Sequence, residues 1–226
     1  MLGIFFIYML KNVKDNSDFV RYYALSRPEM LKYIPDSVSK ILEVGCGTGF
    51  FGKQIKSINK CEYWGIEPVK QAADEAINNI DKIVNSSFDE CYNSLPKNYF
   101  DCVIFNDVLE HLENPFDTLK KLFEILPGGC KVISSIPNVL YFFNIKDLLI
   151  KKDWEYSHQG GILDFTHLRF FTKKSMIRMF SNAGYKIKII EGINPIQLWI
   201  SIPLNILSFG HLNESKFMQF VVVAEK

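Results

Sequence analysis

The chain lacks several features that would narrow its function at once. It has no excess of either charge: 26 Lys and Arg against 25 Asp and Glu leave a formal net charge of +1. No electrostatic footprint for a phosphate backbone is present, so nucleic acid is not an expected partner. There is no Cys-x-x-Cys pair. Five cysteines (Cys46, Cys61, Cys91, Cys102, Cys130) are scattered, an odd count without spacing. This argues against a disulfide frame or a zinc site and for reduced thiols in a cytoplasmic protein. Only four histidines are present, and no metal-ligand spacing is visible, so no metal is expected. No uninterrupted apolar run is long enough to span a bilayer. There are no internal repeats and no low-complexity linker, which leads us to expect a single domain over residues 1–226.

What is present is ordinary globular material, 48% hydrophobic and 23% charged over 226 residues. That is enough chain to bury a core. Met1–Leu10 is apolar, but no basic region precedes it and no small-residue cleavage site follows, so a signal peptide is not expected. We read it as a packed or poorly ordered terminal segment, with membrane contact or an upstream start-site artefact as the alternatives.

The apolar pattern alternates between two periods. Residues 1–37 read as an N-terminal helical segment, with Pro28 opening a helix. Lys40–Val44 is an apolar run with no alternation, as expected of a parallel strand buried on both faces. Helix is expected over Phe50–Ser57, strand over Tyr63–Ile66, helix over Val69–Asn79 and a short strand over Lys82–Val84. Phe100–Phe105 is a fourth strand, a helix follows Pro115, and Cys130–Ile136 is a fifth strand. This β-α repetition predicts an α/β fold, with a mostly parallel sheet and helices on both faces. Residues 138–172 interrupt the rhythm as an aromatic-rich insertion, expected to begin as a helix over Val139–Lys151. A helix over Lys173–Asn182 and a strand over Tyr185–Ile190 restore it. Residues 194–216 form an apolar insertion broken by Pro203, and Phe217–Glu225 is the seventh and last strand. The insertion reads as a lid, a dimer surface or an interfacial segment, and a monomer or homodimer fits it equally.

Between the first strand and its helix lies Glu43-Val-Gly45-Cys-Gly47-Thr-Gly49-Phe-Phe-Gly52. Such a turn lets backbone N–H groups approach a ligand closely. Two readings compete. Gly47-x-Gly49-x-x-Gly52 matches the dinucleotide fingerprint of an NAD-dependent oxidoreductase. Glu43-x-Gly45-x-Gly47-x-Gly49 resembles instead the first motif of class I S-adenosylmethionine (SAM) methyltransferases. Four further features resemble that family in the right order: Glu67 after the second strand, Ser86-Ser87-Phe88-Asp89 after the third, Asn106-Asp-Val-Leu-Glu-His-Leu112 after the fourth, and Leu126-Pro-Gly-Gly129 before the fifth.

The resemblance implies a Rossmann-like seven-stranded sheet with its last strand antiparallel, SAM as cofactor and S-adenosylhomocysteine as product. The cofactor contacts it implies are Glu43, Gly45, Cys46, Gly47, Gly49, Glu67, Pro68, Ser87, Phe88, Asn106, Asp107, Val108 and His111. A cationic sulfonium and an amino-acid tail call for carboxylates as well as backbone donors, which agrees with acids at strand ends. The run Asp164-Phe-Thr-His167-Leu-Arg169-Phe-Phe-Thr172 resembles that of small-molecule and glycan O-methyltransferases, including, more distantly, those of the ubiquinone pathway. The implied reaction is methyl transfer to a hydroxyl, or an amine, of a small-molecule or surface-polysaccharide acceptor. His167 is the first candidate base, His158 the second, and Asp164 a candidate orienting carboxylate. Arg169 suits an acidic acceptor group, and Tyr141 and Trp154 suit stacking on a ring. The other reading of this run is a loop anchored by its own hydrogen bonds. A non-catalytic SAM-binding regulatory subunit is the remaining alternative.

Overall fold

The computed structural model describes Tyr23, residues 26–158 and residues 160–226. The expectation for Met1–Leu10 lies outside the described residues. In chain order the elements are α1 (Pro28–Leu31), β1 (Lys40–Val44), α2 (Phe50–Ile58), β2 (Glu62–Ile66), α3 (Lys70–Ala76), β3 (Lys82–Val84), α4 (Phe88–Cys91), β4 (Cys102–Asn106), α5 (Pro115–Ile125), β5 (Lys131–Pro137), α6 (Phe142–Lys151), α7 (Lys173–Asn182), β6 (Lys186–Pro195), α8 (Leu198–Leu207) and β7 (Phe217–Glu225). The strands form one seven-stranded sheet in the order β3-β2-β1-β4-β5-β7-β6. β1 runs parallel to β2 and β2 to β3, whereas β7 runs antiparallel to both of its neighbours. Two compact units divide the chain: residues up to Leu95 with Phe100–Val103, and Pro96–Tyr99 with Ile104–Lys226.

In the first unit, Ile41 and Leu42 of β1 are fully buried, as a strand without apolar–polar alternation requires. Glu43 breaks that run. Its side chain is buried, and its Oε2 accepts a hydrogen bond from the Tyr63 hydroxyl of β2 at 2.9 Å. Tyr63→Phe removes a donor from a buried carboxylate. It should cost about 1.5–3 kcal/mol, read as a lower midpoint in denaturant titration with an unchanged slope. Asp101 fixes the start of β1 by accepting from the backbone N–H of Ser39 and Lys40. α3 presents Ala72, Ala73 and Ala76 to the core, small residues that allow close packing. α4 was not anticipated. Ser87 caps it, and Glu90 reaches back to the Ser87 N–H in a capping box.

In the second unit, β5 and β7 pair from Lys131↔Glu225 to Pro137↔Gln219. β6 extends to Pro195, beyond the Ile190 end expected from the sequence, because it keeps pairing with β7 through Gly192↔Phe220 and Pro195↔Phe217. Most of its side chains are at least partly exposed, so apolar periodicity does not mark its end. Thr172 caps α7 by accepting from Ser175 N. Residues 138–172 are closed at their base: Asn138 bridges Phe171, and Val139 N donates to Phe171 O at 2.9 Å. The Asn138 side chain is buried and donates to the carbonyls of Glu214 and Phe217. α8 carries Pro203 inside it. Among the described residues, no helix is long and apolar enough to cross a membrane.

Candidate active site

In the first unit, the turn after β1 is built from left-handed glycines: Gly45, Gly47 and Gly49 have φ of 71°, 53° and 73°. A side chain at Gly47 would also bring its Cβ to 2.5 Å from the Tyr23 carbonyl oxygen. Gly45 and Cys46 donate to Ile66 O at the end of β2, and Gly49 N donates back to Cys46 O. The loop is thus tied to β2, which ends at the residue before Glu67. Glu67 is 4% exposed. Its Oε2 accepts from Gly47 N at 2.9 Å and its Oε1 from Val69 N at 2.8 Å. Each oxygen keeps lone-pair capacity for a further donor. Burial raises the Glu67 pKa from 4.5 to about 7, and the Val69 and Gly47 amides pull the other way. Cys46 is buried, and its thiol is pushed up by desolvation and by the charges of Glu43 and Glu67, so it is an inert packing group. Pro68 is exposed beside Glu67, Phe88 is buried, and Ser87 is occupied in its capping box.

The second unit carries the other predicted residues. Asp107 adopts a left-handed φ of 54°. Its Oδ1 accepts from Ser135 Oγ and from Gln219 Nε2, both at 2.8 Å. Ser135 and Gln219, which sequence reasoning did not single out, therefore set the orientation of Asp107. Asn106 and Val108 flank it, half-buried. Leu109–His111 forms a short 3-10 turn with Glu110 1% exposed. Leu168 N and Arg169 N both donate to the Glu110 carbonyl, at 2.9 and 3.0 Å, which fastens the 138–172 segment to this turn.

Three of those side chains come together. His167 is buried, its Nε2 4.0 Å from Glu110 Oε1. The His111 and His167 rings meet edge-on with centroids 4.7 Å apart. His167 Nδ1 lies 2.9 Å from Ile162 O, and His111 Nδ1 lies 3.2 Å from Thr166 O. A carbonyl can only accept, so Nδ1 carries the proton in both rings and each Nε2 holds a lone pair when neutral. His111 is half-buried, and burial of its imidazole, with the neighbouring His167, pushes its pKa down to about 4. Glu110 belongs to this cluster.

Asp164 does not orient His167. Its Oδ1 accepts from Thr166 N at 2.7 Å and from the Thr166 hydroxyl. The aspartate is captured by its own backbone two residues on, as short acidic side chains in turns commonly are. Arg169 is exposed and donates to the carbonyls of Leu168 and Glu113. Two of its N–H groups thus anchor the loop. His158 is exposed, with its ring 5.1 Å from that of Phe165. Trp154 packs edge-on against Phe170 at 5.3 Å, and Tyr141 tilts against Phe143 at 5.6 Å.

A family model described as a methyltransferase domain matches residues 14–188. The chain belongs to the methyltransferase-domain family. Its sequence is similar to a malonyl-[acyl-carrier protein] O-methyltransferase of Ilyobacter polytropus, 22% identical over 79% of this chain and 72% of that one. Its fold is similar to that of a SAM-dependent methyltransferase from Archaeoglobus fulgidus, with a TM-score of 0.70 at 20% identity over 92% and 98% of the two chains. A SAM-dependent methyltransferase from Thermotoga maritima aligns with a TM-score of 0.61 at 18% identity, over 92% and 91%. The cofactor of this methyltransferase is therefore SAM, and the dinucleotide reading of the glycines is set aside. The residues present suit SAM. The turn offers backbone approach without Cβ atoms, and Glu67 offers two partly satisfied acceptor oxygens.

Proposed function

We propose that this SAM-dependent methyltransferase transfers a methyl group to a hydroxyl of a small polar acceptor such as a sugar. When bound, SAM supplies a methyl carbon on a positively charged sulfur that leaves readily. The chain's tasks are to hold that cofactor, to align the acceptor and to accept a hydroxyl proton. Glu67 receives the two ribose hydroxyls on the lone pairs that Gly47 N and Val69 N leave open, and Gly45, Gly47 and Gly49 allow close backbone approach to the amino-acid tail. The hydroxyl's proton is removed at the Glu110–His111–His167 cluster. This cluster is the observation that carries the reading: it offers two imidazoles with Nε2 lone pairs beside a buried carboxylate. The similarity to a relative named as an O-methyltransferase supports an oxygen over an amine as the acceptor atom, although the malonyl group in that name offers a carboxylate oxygen and not a hydroxyl. The aromatic and polar side chains of residues 138–172 support a sugar-like acceptor.

The test has two stages. Calorimetry should show SAM and its demethylated product binding at micromolar level, while NAD shows none. Transfer of labelled methyl from SAM should then appear on a panel of sugars and nucleotide sugars. Transfer only to matched amines would overturn the hydroxyl reading.

A further inference from the structure

The Glu110–His111–His167 cluster has a feature that general-base chemistry does not require. One ligand-capable atom from each of the three residues lies within 4.8 Å of the others. Both rings have Nδ1 tied to a backbone carbonyl, Ile162 O for His167 and Thr166 O for His111. That is the arrangement in which proteins fix a metal-binding histidine, with one nitrogen held by a carbonyl and the other aimed at the ion. Two imidazoles with one carboxylate are a donor set for divalent transition metals such as zinc, and a poor one for magnesium or calcium. The ligands come from two separate pieces of chain, the turn after β4 and the 138–172 segment. Those pieces are already joined by the two amide bonds to Glu110 O.

We propose that Glu110, His111 and His167 form a divalent transition-metal site of the zinc class, with at least one coordination position open. Metal–ligand bonds of about 2.0–2.2 Å put ligand atoms about 3.3 Å apart in a tetrahedral site. The 4.0 Å between His167 Nε2 and Glu110 Oε1 must therefore close by less than about an ångström, and the widest separation in the trio, up to 4.8 Å, by about 1.5 Å at most. His111, the most accessible of the three, lies on the side from which a further ligand enters. On the reading that the acceptor is a hydroxyl, its oxygen takes the open position. There the metal would lower the hydroxyl's pKa; with the imidazole lone pairs on the ion, the hydroxyl proton would pass to water rather than to a histidine, and the oxygen's electron pair would form the bond to the methyl carbon as the carbon–sulfur bond breaks with its pair going to sulfur.

The test is a titration of chelator-treated full-length protein with zinc, followed by calorimetry, without SAM or acceptor. Wild type should bind one equivalent at micromolar affinity or tighter. His167→Ala and Glu110→Gln should each weaken it by about 100-fold or more, with far-UV circular dichroism confirming that they fold. Absence of binding in the wild type, or equal binding in both variants, overturns the site. Should a variant fail to fold, the wild-type cobalt complex decides. Visible bands of nitrogen and oxygen coordination support the site, and a thiolate charge-transfer band, which would place the metal on cysteine, overturns it. The titration needs no methyl transfer, so failure of the hydroxyl reading leaves its outcome untouched, and an empty site leaves that reading to the acceptor panel.

Discussion

Glu67→Ala should weaken SAM binding by about 100-fold or more, measured by calorimetry at pH 8. In the proposed role, two hydrogen bonds from ribose hydroxyls to the carboxylate, worth about 1.5–3 kcal/mol each, would disappear together. The substitution also strips the Gly47 and Val69 amides of their acceptor, so the turn loses its tie to the strand end. Glu67→Gln separates the two effects, because it keeps the shape and one carbonyl oxygen while removing the charge. It should fall between wild type and the alanine variant. An affinity for SAM that is unchanged in Glu67→Ala would remove this residue from the ribose role.

The same carboxylate, in the proposed ribose role, should make cofactor binding depend on pH. Burial raises the Glu67 pKa from 4.5 to about 7. The folded free protein therefore holds a proton, between those two values, that the unfolded chain has released. The stability associated with that proton is fully present below pH 4.5 and is lost as pH rises through about 7. A cofactor that donates hydroxyl hydrogens and carries positive charge favours the ionised form. SAM affinity should thus climb from about pH 6 to about pH 8 and then level off, while Glu67→Ala should show no such climb.

The sheet was legible in the sequence where burial is two-sided. β1, buried at every residue but its first, spans Lys40–Val44 as its apolar run indicates. β6 was read short because an edge strand with exposed side chains carries no such run, and its end is set by the register with β7. α4 was missed although Ser87-x-x-Glu90 is a capping-box spacing visible in the sequence. At the site, the glycine turn and Glu67 are local in sequence and could be paired in advance. The approach of Glu110 to His167 could not, since no spacing rule links residues that only the fold brings together. The assignment of Asp164 went wrong for a local reason. Asp-x-Thr is itself a turn signal, and the carboxylate closes on Thr166 before it can reach a histidine.

Gly52→Val should lower stability by about 3 kcal/mol, seen as a melting temperature lower by about 6–12 °C. Gly52 lies in the first turn of α2, where a Cβ would stand 2.5 Å from Ile80 Cγ2 and 2.7 Å from the Tyr63 ring. Both neighbours are buried, and Tyr63 is held in place by its bond to Glu43, so neither can give way cheaply. Any gain in helix propensity from removing a glycine is about 1 kcal/mol and does not offset the overlap. This also explains why the chain matches the dinucleotide pattern without being a dinucleotide enzyme. The third glycine of that pattern serves close packing of helix on strand, a need shared by any ligand bound at such a turn. Gly52→Val should therefore lose stability while the folded fraction, assayed well below the transition, binds SAM within a few-fold of wild type. A loss as large as that of Glu67→Ala at full folding would show that Gly52 faces the cofactor instead.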